Sequence, residues 1–276
     1  MRELVLLTGG TGKTGRRIAL ELQRRGIMPR VLSRSGRQGS RSFDWADVSR
    51  FHEILEGVSA VYLLAPAQVT DVLAAMRPFI DAAVADGVSR FVLLSASSIA
   101  EGGPLMGAVH SYLKRVAPNW NVLRPSWFMQ NFSEQQHLST IREEGAIYSA
   151  TGSGRVGFVD LDDLARVAAL ALTEPNFPSG ELILTGPQAI TYDEVAHTLT
   201  QCIGRPVIHY AISEDALAER LARSGLSPEY SRLLSALDVA IAGGSEDYVS
   251  PTIEGVTGRP PHDFATFAAR ERAAWL

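Results

Sequence analysis

Eight residues near the start of the chain, Thr8-Gly9-Gly10-Thr11-Gly12-Lys13-Thr14-Gly15, limit the fold more than any other segment. Before them stands a short apolar run from Leu4 to Thr8; after them Ile18, Ala19 and Leu22 recur at helical spacing until Gly26. The first reads as a buried parallel strand and the second as an amphipathic helix. Glycines at 9, 12 and 15 give the spacing GxxGxxG. Between a strand and a helix, such a triplet permits a sharp turn at Gly9, close approach of backbone to a pyrophosphate at Gly12, and tight helix packing at Gly15. The N-terminus of the helix supplies N–H groups and a positive dipole end for phosphate. The segment therefore points to a bound dinucleotide. Gly12-Lys13-Thr14 also looks like the end of a triphosphate-binding loop, but that motif needs a glycine where this chain has Leu7. Lys13 is left as a cation for a cofactor phosphate or as a solvated residue on the first helical turn.

The pattern begun there repeats. Short apolar runs at Pro29 to Ser33, Ser42 to Trp45, Ala60 to Leu64, Arg90 to Ser95 and Trp120 to Leu123 read as strands. Helical segments lie between them at Val48 to Leu55, Val69 to Asp86 (with a bend at Pro78) and Ala108 to Val116. Alternation of this kind predicts an α/β fold, a Rossmann-type doubly wound parallel sheet with right-handed crossovers. Beyond it the spacing predicts helices over Glu134 to Glu144, Asp162 to Leu172, Thr191 to Ile203, Glu214 to Ala222 and Glu229 to Ala242, and a last helix ending near Trp275. Thr191 with Glu194 three residues on is a capping-box signature. Gly145 to Phe158, with four glycines, reads as a loop or hairpin. The expected division is a nucleotide-binding domain over residues 1–132 and a smaller C-terminal α/β substrate lobe over 133–276, with some interleaving.

Composition narrows the function. The formal charge is −4, so no basic excess calls for nucleic acid or an anionic membrane surface. No apolar run approaches the roughly 20 residues of a membrane span, and the N-terminus runs directly into a strand, so the expectation is a cytoplasmic protein. The single cysteine, Cys202, excludes an internal disulfide framework or a Cys-rich zinc site, and the six histidines show no metal-ligand spacing, so no metal is expected. The expected partner is a small-molecule substrate, and the expected state a monomer or homodimer.

The end of the second strand bears on the choice of nucleotide. An acidic residue there would bind the ribose 2′-hydroxyl and repel a 2′-phosphate. The chain instead has Ser33-Arg34-Ser35-Gly36-Arg37, with no acid. Arg34 can clamp a phosphate and Ser33 can donate to it, so NADP(H) is the expected cofactor. After the third strand, Asp44 is placed to meet an adenine edge; Trp45 lies beside it, as a neighbour of the base or as packing.

Gly9 to Gly15, Phe43-Asp44-Trp45, SAVYLLAP at 59–66 and FVLLS at 91–95 resemble the NmrA-like atypical short-chain dehydrogenases/reductases. Further stretches are similar to the ergot-alkaloid-type reductases, the agroclavine dehydrogenase and festuclavine synthase group. They are Gly102-Gly103-Pro104, Val109-His110, VLRP at 122–125, Trp127-Phe128-Met129, Asn131 to Glu134, YSATG at 148–152 and VTGRPP at 256–261. The resemblance implies NADP(H), a Rossmann domain and a small substrate lobe. It places Thr11, Gly12 and Lys13 at the pyrophosphate, with Gly9, Thr14 and Gly15 completing the loop, and Ser33 and Arg34 at the 2′-phosphate. Leu64, Ala65 and Pro66 line the cofactor, and Ser95, Ala96, Ser97 and Pro125 flank the nicotinamide. It also implies a secondary-metabolism role in reducing an iminium or imine, or next a quinone or enone, unless the chain is a non-catalytic redox sensor acting through a protein partner.

One familiar element is missing. Most short-chain dehydrogenases use Tyr-x-x-x-Lys as an acid pair. This chain has two lysines, Lys13 in the glycine loop and Lys114, and four residues before Lys114 stands His110. Tyr112 points to another face of the helix. His110 is thus the candidate proton donor, or a histidine merely hydrogen-bonded at the helix edge. Trp127, Phe128, Met129 and Phe132 follow the sixth strand as an aromatic substrate wall or as core; Met106 and Asn131 join the first three as expected substrate contacts.

Overall fold

A computed structural model describes residues 4–36, 39–67 and 69–276. In chain order the elements are β1 (Leu4–Leu7), α1 (Lys13–Arg24), β2 (Arg30–Ser33), β3 (Arg41–Ser42), α2 (Phe51–Leu55), β4 (Val58–Leu63), α3 (Val72–Ala85), β5 (Arg90–Leu94), α4 (Met106–Val116) and β6 (Asn119–Pro125). They continue with α5 (Leu138–Glu143), β7 (Ala146–Ser149), β8 (Arg155–Val156), α6 (Leu161–Thr173), β9 (Gly180–Leu184), β10 (Ile190–Thr191) and α7 (Tyr192–Ile203). Last come β11 (Ile208–Ala211), α8 (Glu214–Arg223), α9 (Pro228–Ala242), α10 (Thr252–Thr257) and α11 (Phe264–Glu271). No helix among the described residues is long and apolar enough to cross a membrane.

The chain forms two compact units. The first contains residues up to 125, then 161–184 and 252–259; the second contains 126–160, 185–251 and 260–276. A division at residue 132 with some interleaving was expected; here the first stretch ends at 125, and α6, β9 and α10 return to the first unit. Their return has a physical cause: β6 would otherwise be an open edge, and β9 pairs with it in parallel from Asn121↔Gly180 to Pro125↔Leu184.

The first unit is one seven-stranded sheet in the order β3-β2-β1-β4-β5-β6-β9, and every pairing is parallel. This is the Rossmann-type doubly wound α/β arrangement. Its inner strands β1, β4 and β5 are largely buried on both faces, as short apolar strands between crossover helices must be. Leu6, Val61, Leu63, Phe91, Leu93 and Val122 pack with the buried sides of α2, α3 and α4. On the opposite face, Tyr62 donates a hydrogen bond to the Thr14 hydroxyl of α1 at 3.1 Å. The side chain of Asp71 caps α3 through the Ala74 N–H at 2.9 Å, and the helix runs through Pro78.

In the second unit α7 opens with the expected capping box: Thr191 Oγ1 accepts from Glu194 N–H at 3.1 Å, and Glu194 Oε2 accepts from Thr191 N–H at 2.7 Å. The segment read as a loop or hairpin holds two short strands joined by a loop, and they do not pair with each other. β7 pairs in parallel with β11, and β8 pairs antiparallel with β10, so the two strands go to different partners. Phe132 lies at the centre of this unit's core, edge-on to Phe158, Tyr192 and Phe264 at 5.3, 5.7 and 5.4 Å between ring centroids. It also stacks on His137 at 4.9 Å, and its carbonyl accepts from Trp275 Nε1 at 2.7 Å.

Burial beneath that stack pushes the His137 imidazole down to about 3. The folded state therefore prefers neutral His137, while the unfolded chain binds a proton near pH 6.5. The stability this gives is complete above pH 6.5 and is lost as pH falls toward 3. Within that window the expected slope from this one group approaches about 1.4 kcal/mol per pH unit. Urea midpoints measured across the window should fall less steeply for His137→Asn than for the unmodified protein; equal slopes would assign the acid sensitivity elsewhere.

Candidate functional site

The glycine loop lies where the sheet's strand order reverses, between the carboxyl ends of β1 and β4. Open α/β sheets bind ligands at such a switch point. Thr8 ties the two ends together: its hydroxyl donates to Tyr62 O at 3.0 Å and accepts from Leu64 N–H at 2.8 Å. Gly9 then takes a left-handed φ of 61°, a conformation that carries little penalty only for glycine. A methyl group on Gly15 would lie 2.5 Å from both Gly10 Cα and Gly9 O, so the first turn of α1 sits directly on the loop. Gly10, which lies outside the GxxGxxG spacing, is held as tightly: a Cβ there would meet Val31 Cγ1 at 2.6 Å.

Gly12 is different. It is the N-cap of α1, with φ −74° and ψ 177°, it is exposed, and an added Cβ would meet only Gly9 O, at 3.1 Å. No side chain caps α1 and no acid stands in its first turn. This surface accepts backbone-close approach by an anion, so the loop fits a pyrophosphate. Thr11 is exposed and Lys13 half-buried at its rim, whereas Thr14 is buried with its hydroxyl bonded to Tyr62.

The end of β2 is shaped from within. The buried Ser33 hydroxyl bonds to Ser40 Oγ at 2.6 Å and accepts from Gly36 N–H at 3.1 Å, so it braces the turn. Arg34 is exposed on that turn; Arg37 lies outside the described residues. Asp44 is exposed, and its Oδ1 accepts from Ala46 N–H at 2.9 Å. Trp45 packs edge-on to Phe43 at 5.0 Å and Phe79 at 5.4 Å. Half-buried Leu64, Ala65 and Pro66 follow β4.

Ser95, Ala96 and Ser97 follow β5, and Pro125 ends β6. Ser95 N–H donates to Leu123 O at 2.8 Å and Ser97 N–H to Pro125 O at 2.9 Å. Arg124, which the sequence did not single out, donates from Nη2 to Ser97 O at 2.6 Å and pairs with Glu181. It fixes the exits of β5 and β6 from below.

His110 is buried, its Nε2 lacks a hydrogen-bond partner, and its ring lies 5.3 Å from the Trp120 ring. At about 3.3 Å per residue, Trp120 stands roughly 16 Å down β6 from Pro125. The histidine thus packs beside the lower part of β6, with the Glu181 carboxylate that pairs with Arg124 also near its ring. Burial first of all holds its imidazole below the ordinary value, against the pull of Glu181 and Glu101. Lys114 Nζ pairs with Glu101 at 2.9 Å, and the Tyr112 hydroxyl donates to Asp81. Glu101, His110 and Glu181 each bring one ligand atom within 4.8 Å of the others, a grouping no spacing reveals because Glu181 arrives on β9. Lys114 and Arg124 already balance its two carboxylates.

The expected substrate contacts separate. Met106 packs against the first unit's core. Met129 and Phe132 are core of the second unit, Asn131 is buried there, and Phe128 is half-buried, its segment held to Val159 through Met129 N–H at 3.0 Å. Trp127 alone of the aromatic group lines a cavity of about 310 Å³ within the second unit, together with His137, Tyr148, Leu217, Leu234 and Asp238. A second cavity of about 470 Å³ is lined by Met129, Phe158, Ile190 and Phe264.

Residues 9–175 match the family model described as NAD(P)H-binding. The chain is 41% identical to an agroclavine dehydrogenase of Claviceps purpurea, with 98% of each chain covered. It is 38% identical to a festuclavine dehydrogenase of Aspergillus fumigatus, with 99% of each covered. Among solved structures, an NADPH-dependent quinone oxidoreductase of Escherichia coli shares the fold, with a TM-score of 0.81 over 96% of this chain and 99% of that one, at 23% identity. The glycine cradle at the switch point and these relatives agree: the chain belongs to the NAD(P)H-binding family of Rossmann-fold oxidoreductases, in the NmrA-like group that includes the agroclavine and festuclavine dehydrogenases.

Proposed function

We propose that the chain is an NADPH-dependent reductase whose acceptor is a small, flat, apolar molecule, an iminium or imine first and a quinone or enone second. The observation that carries the acceptor choice is the fate of the residues on α4 that would replace the missing acid pair. His110 faces Trp120, Tyr112 is bonded to Asp81, and Lys114 is paired with Glu101. NADPH, when bound, supplies a hydride. Hydride delivered to a ketone builds charge on oxygen and needs a donor aimed at it. Hydride delivered to an iminium cancels a charge already present, so no proton has to arrive. A quinone is intermediate, because its oxyanion is delocalised. The curated relatives named for clavine alkaloids support the nitrogenous acceptor, and the quinone reductase of like fold supports the second.

In this reading the chain's own part is to bind and orient. Gly12 and the uncapped start of α1 hold the pyrophosphate, with Thr11 and Lys13 beside them. Arg34, where NAD-specific relatives of this fold carry an acid, takes the 2′-phosphate. Ser33 holds the Arg34 turn in shape. Leu64 to Pro66, Ser95 to Ser97 and Pro125 form the walls at the strand ends.

Three outcomes test this. Arg34→Glu should weaken NADPH binding by about 1.5–3 kcal/mol, the worth of a charge-assisted hydrogen-bonded pair, and spare NADH. Equal affinity of the unmodified protein for both nucleotides would remove the basis for NADPH preference. Gly12→Val should abolish NADPH titration while the thermal unfolding midpoint stays close to the original, because the backbone at Gly12 has a negative φ that valine adopts. An unchanged titration would place the phosphates elsewhere. Rates of NADPH oxidation should fall from cyclic iminium ions to quinones to unactivated ketones, and His110→Ala should leave the first two unchanged. A loss on quinones of the ~10²-fold size typical of a general acid would identify His110 as a donor after all. Binding of NADPH with no turnover on any acceptor would support the redox-sensor alternative.

A further inference from the structure

The cavity in the second unit holds a charged side chain to which the account so far gives no role. Asp238 lines it from α9 and is only 6% exposed. A helix face buried against apolar neighbours normally carries apolar residues, yet the buried positions of α9 are Ser231, Ser235, Asp238 and Ile241. One carboxylate oxygen of Asp238 accepts from Ala150 N–H at 3.0 Å, within the YSATG segment. Among the described residues no cationic side chain pairs with it.

The other charges on this cavity's wall are taken up. Arg220 pairs with Glu144 at 2.6 Å and lies over the Tyr148 ring at 3.6 Å. The Tyr148 hydroxyl donates to the same glutamate at 2.8 Å, and its ring stacks on Tyr210. Arg223 pairs with Glu219 at 3.2 Å. His137 on the same wall is held neutral by burial, as is the nearby Tyr192 hydroxyl. His209, packed against Tyr192, is bonded to Ser149 and Asp193. Asp238 is therefore the one carboxylate here left without a counter-charge, and burial pushes it up to about 6. A buried carboxylate with one hydrogen bond is costly unless something pairs with it. Leu217, Leu221, Leu234 and the Trp127 ring form the apolar part of the lining, and Gln136, Ser139, Thr140 and Ser224 an uncharged polar part.

We propose that this cavity binds a flat organic monocation, a cyclic iminium or quaternary aromatic amine, with the Asp238 carboxylate as counter-charge and Trp127 as aromatic contact. The inference deepens the reductase reading and rests on it for the ligand's role, but not for its binding. About 310 Å³ is enough for a two-ring or three-ring cation. A neutral molecule of the same shape would fill the apolar space and leave the carboxylate uncompensated; a cation satisfies both and gains attraction from the indole. Asp238 is a specificity-determining residue in this proposal, since it selects by charge what the leucines accept by shape.

The test is a pair of titrations at pH 8, where Asp238 is ionised, on the full chain: N-methylquinolinium against its neutral isostere 1-methylnaphthalene. The cation should bind at least ~10-fold more tightly than the isostere, as expected for a desolvated charge pair. Asp238→Asn, which keeps an acceptor for Ala150 N–H, should remove that preference and leave binding of the isostere and of NADPH unchanged. Equal affinity for the two probes on the unmodified protein overturns the proposal without any variant, and so does a preference that survives Asp238→Asn. Failure of the reductase reading looks different. If the cation binds through Asp238 but no acceptor oxidises NADPH, the site stands and the hydride role falls. If N-methyl-3,4-dihydroisoquinolinium is reduced with the same KM by the unmodified protein and Asp238→Asn, the hydride role stands and the site falls.

Discussion

Everything at the nucleotide site depends on how closely backbone meets backbone between β1 and α1. Gly9 turns the chain through a left-handed conformation, and Gly15 lies where any side chain would strike Gly10 Cα and Gly9 O. The Thr8 hydroxyl joins the loop's start to the exit of β4 by two hydrogen bonds. Removing any of these contacts would not merely loosen a turn. It would shift the start of α1, and with it the uncapped N–H groups that make an anion site at the switch point of the sheet. Gly12 is spared those contacts, and that is why it is the place where a ligand rather than the protein can occupy the space of a side chain.

A buttress of charge and hydrogen bonding holds the other side of the sheet's open end. Arg124 reaches from β6 to the carbonyl of Ser97 beyond β5 and to Glu181 near the start of β9, so three segments share one guanidinium. Arg17 of α1 likewise pairs with Asp162 of α6 at 3.0 Å, tying the first helix to the segment that returns to this unit late in the chain. Neither arginine has to touch a ligand to matter: both fix the relative position of elements that do.

The parallel sheet was legible because its signals are local: an apolar run, a glycine or proline, a helical period. The same locality explains the errors. Gly145 to Phe158 read as a loop or hairpin because four glycines fall within fourteen residues, whereas the partner of β7 is β11, some sixty residues on. α10 went unseen because Thr252–Thr257 is short and weakly apolar. In the site, the glycine triplet and the missing acid after β2 could be read directly. Depth could not: His110 and Lys114 share a face as their spacing says, but spacing does not tell that one is packed against Trp120 and the other held by Glu101. Ser33 was read as a phosphate donor; that its hydroxyl also bonds Ser40 and accepts from Gly36 N–H, bracing the turn, is a contact no spacing reveals. Asp238 passed unnoticed since an aspartate in a helix normally reads as solvated surface, and only tertiary packing buries it.

Hydride transfer without a dedicated acid is the central claim, and proton inventory addresses it most directly. Single-turnover oxidation of NADPH by a cyclic iminium would be followed in H2O and D2O, with the nicotinamide hydride position protiated or deuterated. A primary isotope effect from the nucleotide with none from the solvent is the expected result, because only the hydride moves. A solvent isotope effect on the same step would contradict it, since it would mean that a proton donor among this chain's residues takes part in the transition state.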